Sequence, residues 1–293
     1  MYVFRIHIRP GGGLADPELS FDYCLKNNLL GVGWQIQKKP DELIDWKTYE
    51  ERATDEYEGK ISVVTYIHRW VSRDDLVWTR DTKGQYYLGK VLSPWEYIDT
   101  PEARDADIVN VFRVDLKKVG LVEDVPGKVI ACFRASRTIQ EIANESAVIY
   151  TKILWNELTG KDRRDVKLNI DSVWDLLSDE QVEDLVFLYL QTKGWYVIPN
   201  SRKKDTMSYE FYLINKSTYE RALVQAKTGD SPINLDDFNN NRERVFFFQP
   251  NDCFSGDIRE NYRIIQRGKL EQFIRNHQKI IPANILRWYL KIQ

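Results

Sequence analysis

The stretch Ser178–Gly229 constrains the fold of this chain more than any other. Ser178 has the character of a helix N-cap, and Gln181 three residues on completes a capping box. Leu185–Leu190 is apolar on most sides, so the helix it opens is expected to be buried against a sheet. Gly194 stands where a helix ends. Three strand-like segments follow, at Trp195–Pro199, Tyr209–Asn215 and Arg221–Lys227. Alternation puts Glu210, Tyr212 and Ile214 on one face of the second strand, and Leu223, Gln225 and Lys227 on one face of the third. A helix and three strands in that order imply a packed α/β layer, with polar side chains set into apolar strands.

Those polar residues make chemical sense together. Carboxylates at Glu183 and Glu210 and the amide oxygen of Gln225 can hold a hard divalent ion such as magnesium, which prefers oxygen ligands. Such an ion polarises a phosphodiester and acidifies water. Lys227 can orient the attacking water or neutralise charge developing on the phosphate. Structural readings stand beside each assignment. Glu183 also reads as a solvated acid favoured by the helix dipole, with Asp184 next to it as an alternative. Glu210 also reads as an edge-strand charge, and a lone Gln-x-Lys triplet is common by chance. Order and spacing together favour the site.

The same stretch resembles the PD-(D/E)XK nuclease superfamily, and within it the Mrr-like restriction endonucleases, where Gln-x-Lys replaces Glu-x-Lys. By that resemblance Glu183 matches the helix acid, Glu210 the acid of the second strand, and Gln225 and Lys227 the Gln-x-Lys pair, with Thr228-Gly229 following. One departure weakens the match at Glu210: the family's strand residue is usually Asp, often after a Gly-rich turn, whereas Ser208-Tyr209-Glu210 leads straight into the strand here. The resemblance implies a restriction-endonuclease-like core with a central mixed sheet. It also implies a Mg²⁺ cofactor, for which Mn²⁺ substitutes, and metal-assisted hydrolysis of DNA. It covers only the carboxyl-terminal part of the chain.

Composition bounds the rest. At 293 residues the chain is long enough for two domains, and 43% apolar with 29% charged residues is a globular balance. A net charge of −2 excludes a grossly basic DNA-coating protein. The local run Arg202-Lys203-Lys204 remains a candidate for phosphate contacts. Three widely spaced cysteines and three scattered histidines suggest a reducing cytosol, no disulfide frame and no zinc site. No apolar run reaches the length of a membrane span and no signal peptide is read at the start, so a cytoplasmic location is expected.

In the amino-terminal part, Tyr2–Arg9 alternates like a strand, and Gly11–Gly13 reads as a turn because a P-loop would need a following Lys-Ser/Thr. Phe21–Leu30 and Ile61–Trp70 fit helix or strand, and Asp41–Glu58 reads as a solvated helix. Leu76–Arg80 and Gln85–Val91 form a hairpin around Asp81–Gly84. Ala106–Leu116 and Val129–Phe133 read as strands, and Ser136–Tyr150 as helix. So many short strands suggest a small β-barrel with attached helices. Gly31–Trp34 (GVGW), the strands DLVWTRD and YYLGKV, and the late VIACF resemble the PUA-like barrels, including the EVE group. That likeness implies binding of RNA or modified DNA bases. Trp34, Trp78 and Trp95 are then candidate base-stacking walls and Arg80 a base-edge or phosphate contact, a core role for each tryptophan being the structural alternative.

Beyond the Gln-x-Lys strand, Pro232–Asn240 reads as a short helix, Arg244–Pro250 as a strand, and Leu270–Leu290 as closing helices broken at Pro282. The expected protein is α+β: a recognition domain at 1–160 and a nuclease domain at 161–293. The implied activity is a DNA endonuclease of the restriction or phage-defence type, directed to modified DNA. The alternatives are a ligand-gated effector nuclease and an inactive nucleic-acid or modified-base reader, and an RNA substrate stays open. A homodimer is expected, since double-strand cleavage uses two active sites.

Overall fold

The computed structural model describes residues 1–8, 15–39, 42–135, 137–160, 172–198, 201 and 209–292. Gly11–Gly13, Arg202-Lys203-Lys204 and the connecting KDRRDVK segment lie outside the described residues. The protein is a mixed α+β structure whose chain divides into two compact units, Met1–Val125 with Val129–Asn169, and Pro126–Lys128 with Ile170–Gln293.

The first unit is built on a seven-stranded mixed sheet. Its elements are β1 (Val3–Ile6), α1 (Pro17–Asn27), β2 (Leu29–Val32), α2 (Trp46–Glu56), α3 (Ser62–Trp70), β3 (Leu76–Arg80), β4 (Tyr86–Val91), β5 (Glu96–Tyr97), α4 (Pro101–Asp105) and β6 (Asn110–Gly120). After these come α5 (Gly127–Cys132), whose Gly127 and Lys128 belong to the second unit, β7 (Ile139–Glu141) and α6 (Glu145–Leu158). The path is β2-β6-β4-β3-β1-β7, with β5 also on β6. β1 runs parallel to β3 and antiparallel to β7, while the β3–β4 hairpin is antiparallel as its turn sequence predicts. Among the described residues β2 and β7 do not pair, so the sheet stays open where a closed barrel was expected.

Side-chain caps fix the helix starts: Asp16 accepts from Glu18 N, Asp45 from Thr48 N, Thr100 from Ala103 N and Asn144 from Ala147 N. Ile61–Trp70 resolves as helix, because Val64 and Ile67 are buried at i,i+3 against Leu30, Val32, Val77 and Phe112. Two expectations are corrected. Val129–Phe133 belongs to helix α5 and its end, not a strand: Val129 and Phe133 are buried four residues apart, the helical period. Ser136–Tyr150 is not one helix, because Ile139–Glu141 is captured as an edge strand by β1 before α6 begins.

The second unit centres on a five-stranded sheet of order β14-β12-β10-β9-β8. It comprises α7 (Asp179–Thr192), β8 (Trp195–Val197), β9 (Phe211–Asn215), β10 (Arg221–Ala226), β11 (Ile233–Asn234), β12 (Arg244–Phe248), β13 (Phe254–Ser255), β14 (Tyr262–Ile264), α8 (Arg267–Asn276) and α9 (Ala283–Ile292). β8, β9 and β10 form an antiparallel meander, and β12 and β14 add in parallel. The sheet has two covered faces. Phe211, Trp195, Phe246 and Phe248 face α7 and its surroundings, with Phe187 of α7 at 6.0 Å from the Phe211 ring. Leu223, Val245, Phe247 and Tyr262 face the other way and pack on Ile233, Leu235 and Phe238. Pro232–Asn240 supplies that cover as β11 and a single 3-10 turn at Leu235–Phe238, in place of the expected helix. Pairing of Ile233 with Phe254 holds Ile233–Asn234 extended, so the turn that Asn234 caps through Asp236 N begins only at Leu235.

Candidate functional site

The capping box at the start of α7 forms as the sequence predicts: Ser178 accepts from Gln181 N at 3.2 Å, and the Gln181 carboxamide accepts from Ser178 N at 3.0 Å. Gly127 presses against it. A Cβ on that glycine would fall 1.9 Å from Gln181 Oε1 and 2.6 Å from Ser178 N, so no larger residue fits without displacing the box. Lys128 then donates its N–H to Leu176 O and its ammonium to Thr228 Oγ1, each at 3.4 Å. The amino-terminal turn of α7 is thereby set at the end of the sheet where β10 finishes.

At that end Glu210, Gln225 and Lys227 converge. Glu210 precedes β9 by one residue, and its N–H donates to Val224 O at 2.7 Å, so it keeps ladder register. With Leu223 paired to Tyr212, alternation puts Glu210, Gln225 and Lys227 on the face opposite α7. The Gln225 carboxamide donates to Glu210 Oε1 at 3.1 Å, and Lys227 Nζ lies 3.5 Å from the same oxygen. Glu210 is mostly covered, with 19% of its side chain exposed, against 44% for Lys227. An ion pair of that length with a half-exposed partner is worth about 0–1 kcal/mol, too little to explain the grouping as a stability device.

Gln225 itself is 5% exposed, and its Oε1 is buried with no hydrogen-bond partner among the described residues. Leaving such an acceptor unsatisfied costs about 1–3 kcal/mol. Gln225 and Lys227 also line a small cleft of about 150 Å³ with Pro232, Asn234 and Asp237.

The turn after Lys227 is held by residues that sequence reasoning did not single out. Lys227 N–H donates to Phe248 O at 3.0 Å. Gly229 adopts φ +57°, a left-handed conformation natural to glycine. Its carbonyl accepts from Gln249 Nε2 at 2.6 Å and Asn251 Nδ2 at 3.2 Å, and the fully buried Gln249 returns its own oxygen to the N–H groups of Asn251 and Cys253. Gln249 lies more than twenty residues from Lys227 in sequence, and only the β10–β12 register brings them together.

Glu183 stands in the second turn of α7, half-buried and engaged in contacts of its own. It belongs to the same end of the sheet, but its helix covers the face opposite Glu210, Gln225 and Lys227.

In the first unit the proposed aromatic walls separate. Trp78 is fully buried and donates its indole N–H to Thr151 Oγ1 at 3.0 Å, so it is a core residue with no face free for stacking. Trp34 and Trp95 are half-buried at the margin of a different cluster, the one that holds Val77 and Phe112. Trp34 holds φ +64° and donates to Lys60 O at 3.0 Å. Trp95 donates to Asn110 Oδ1 at 3.1 Å, and Asn110 in turn donates to Tyr49 OH at 3.0 Å.

Around Trp95 gather Trp46, Tyr49 and His68, none of them predicted. His68 stacks on Trp46 at 4.0 Å with 3° between the rings, and Trp95 stands edge-on to Trp46 at 5.1 Å. Burial holds the His68 pKa below its ordinary value, reinforced by Arg69 and opposed by Glu50. The available signal was helical spacing, since Trp46 and Tyr49 share a face of a helix capped by Asp45. Arg80 is exposed at the end of β3, its guanidinium 5.6 Å from the ring centres of both Tyr86 and Phe133.

Neither a family model nor a curated protein matches this sequence. Among solved structures, a "DNA modification-dependent restriction endonuclease AspBHI" aligns with 98% of this chain and 84% of its own at 12% identity, with a TM-score of 0.19. A likeness at that TM-score carries no argument for the fold or the chemistry.

Proposed function

We propose that the second unit is a metal-dependent phosphodiesterase acting on DNA, an endonuclease of the restriction or phage-defence type, and that the first unit directs it to modified bases. The observation that carries this reading is the buried, unsatisfied Gln225 oxygen beside Glu210 and Lys227. A half-turn of the carboxamide would set Oε1 against the Glu210 carboxylate. Two facing oxygens repel unless a cation lies between them, so the pair fits a hard divalent ion. Magnesium is commonly bound through only one or two carboxylates, with water and substrate phosphate completing its shell, which suits this sparse donor set. Glu183 is proposed as a further donor from the amino-terminal half of α7.

When bound, Mg²⁺ or Mn²⁺ would supply Lewis-acid polarisation of the phosphoryl group. Glu210 and Gln225 bind and orient. Lys227, half-exposed at the cleft, neutralises charge that develops on the phosphate in the transition state. Gln249 positions Lys227 by fixing the turn behind it. In the first unit, Trp34 and Trp95 with Trp46 and His68 are proposed as the flat surfaces for a base, with Arg80 as a phosphate or base-edge contact, and the Arg202-Lys203-Lys204 run is proposed separately as a phosphate contact of the second unit. A homodimer would supply two sites for double-strand cleavage.

The test is cleavage of matched plasmids carrying plain or modified cytosines, with Mg²⁺ or Mn²⁺, by the unmutated protein and by Lys227→Ala. Cutting of modified DNA alone, reduced by about 10²–10³-fold in the variant, is the expected result. Cutting of both plasmids removes the base-reading role. The alternative outcome is an inactive base reader. No cleavage of either plasmid, with no Mg²⁺ binding, would decide for it.

A further inference from the structure

The α7-side face of the second unit's sheet carries a cleft unrelated to Glu210, Gln225 and Lys227. It encloses about 380 Å³ and is walled by the end of α7, the start of β8, β12, β14 and the first turn of α8. Four cationic side chains line it, Lys193, Arg244, Arg263 and Lys269, and among the described residues no carboxylate does. The register fixes its place. Arg244 pairs with Ala222 and Arg263 with Phe246, toward the beginnings of the parallel strands, whereas Gln225 and Lys227 lie at the end of β10 and on the other face.

Three of the four cations are held by groups that leave their charge uncompensated. Lys193 Nζ sits 5.5 Å from the Tyr189 ring centre, and the Arg244 guanidinium 5.8 Å from that of Trp195. Arg263 donates to the carbonyls of Glu260 and Tyr262 at 2.6 and 2.7 Å. Only Arg244 has a carboxylate, Glu220 at 2.9 Å, in an exposed contact outside the cleft wall. Lys193, Arg263 and Lys269 make no ion pair among the described residues. Four like charges around one cavity repel each other, and an anion between them removes that cost. Gln266, the N-cap of α8, makes no side-chain cap bond and lines the same wall, and a Cβ on Gly268 would meet nothing within 4 Å. The amino-terminal end of that helix adds positive potential to the cleft already defined by the side chains.

We propose that this cleft binds a small ligand carrying several phosphates, held by Lys193, Arg244, Arg263 and Lys269. Arginine forks and lysine ammonium groups match phosphate oxygens, and the cavity is of the size that takes one small molecule. Its position on the opposite face from Lys227 favours a free polyphosphate over a strand led to that residue. The inference does not depend on the phosphodiesterase reading.

The test titrates the full chain, without divalent metal, with inorganic tripolyphosphate by calorimetry, and separately with a single-stranded oligonucleotide. One tripolyphosphate per chain is expected. Lys193→Gln combined with Lys269→Gln should weaken it by roughly tenfold or more, while Lys279→Gln, on an exposed turn elsewhere in the unit, leaves it unchanged. Arg263→Gln provides a second, independent variant, and unchanged unfolding midpoints of the ligand-free variants confirm their folding. Absence of tripolyphosphate binding, or equal binding by unmutated and substituted proteins, overturns the proposal. So does loss of oligonucleotide binding in the same variants without loss of tripolyphosphate, which would assign the cleft to a nucleic-acid strand.

Discussion

Arg5 in β1 and Gln225 in β10 are both polar side chains within buried strands, 0% and 5% exposed. Arg5 is saturated. Its guanidinium donates to the carbonyls of Cys132 at 2.8 Å and Ala135 at 3.2 Å, to those of Arg137 and Thr138, and to the Gln140 side chain at 3.1 Å. It staples the segment that follows α5 onto the first sheet. Gln225 is half-satisfied, with its amide nitrogen bonded and its oxygen left without a partner among the described residues. A saturated buried group is explained by the fold that saturates it. One left short is a cost that the fold alone does not account for, and such places tend to be sites. The contrast sets a saturated structural residue against one for which a functional role is proposed.

The comparison is open to breakage, with the largest effect at Arg5. Arg5→Met strips a buried charge from five acceptors and is expected to lower stability by about 3–5 kcal/mol in denaturant unfolding. A loss under 1 kcal/mol would show that saturation means little here. Gln249→Ala removes the clamp on Gly229 and leaves its carbonyl short, so a loss of about 1–3 kcal/mol is expected, with reduced cleavage. Gly127→Ala drives a methyl into the Ser178–Gln181 capping box, with an expected cost of about 1–2 kcal/mol by the same unfolding measurement.

Gln225→Leu should shift stability by less than about 1 kcal/mol, because it removes an unsatisfied group along with the bonds of its amide nitrogen to Glu210 Oε1 and Ala226 O. It should nonetheless abolish divalent-ion binding. The smallest effect is at His68. Its folded pKa lies below the unfolded value of about 6.5 because burial disfavours the charged ring. The unfolded chain therefore takes up the proton first, and stability falls as pH drops through 6.5 toward the folded pKa. His68→Phe should flatten that slope in melts taken between pH 7 and pH 5.

What the sequence made legible was local. The capping box, the three strands after it, the β3–β4 hairpin and the face shared by Gln225 and Lys227 follow from spacing within a short window, while the Leu223–Tyr212 register that adds Glu210 to that face is a property of the fold. What it hid depended on partners distant in the chain. Gln249 reads as an unremarkable strand end until the β10–β12 register sets it under Gly229, and Lys128 meets Thr228 across a hundred residues. Val129–Phe133 has strand-like composition, yet burial at a four-residue interval and the seat of Gly127 on the capping box make it helical. Trp78 looked like a stacking wall because a strand pattern gives two faces and does not say which one Thr151 covers. Trp46 and His68, twenty-two residues apart on different helices, give no sequence signal of their stack.

Glu210 and Gln225 are proposed to form a cation site. Titration of Mn²⁺ followed by its paramagnetic resonance signal, on the unmutated protein, Glu210→Ala and Gln225→Leu, tests it without depending on cleavage. One bound ion per chain is expected, lost or weakened at least tenfold in either variant. Equal Mn²⁺ binding by all three proteins, or none by any, would contradict it.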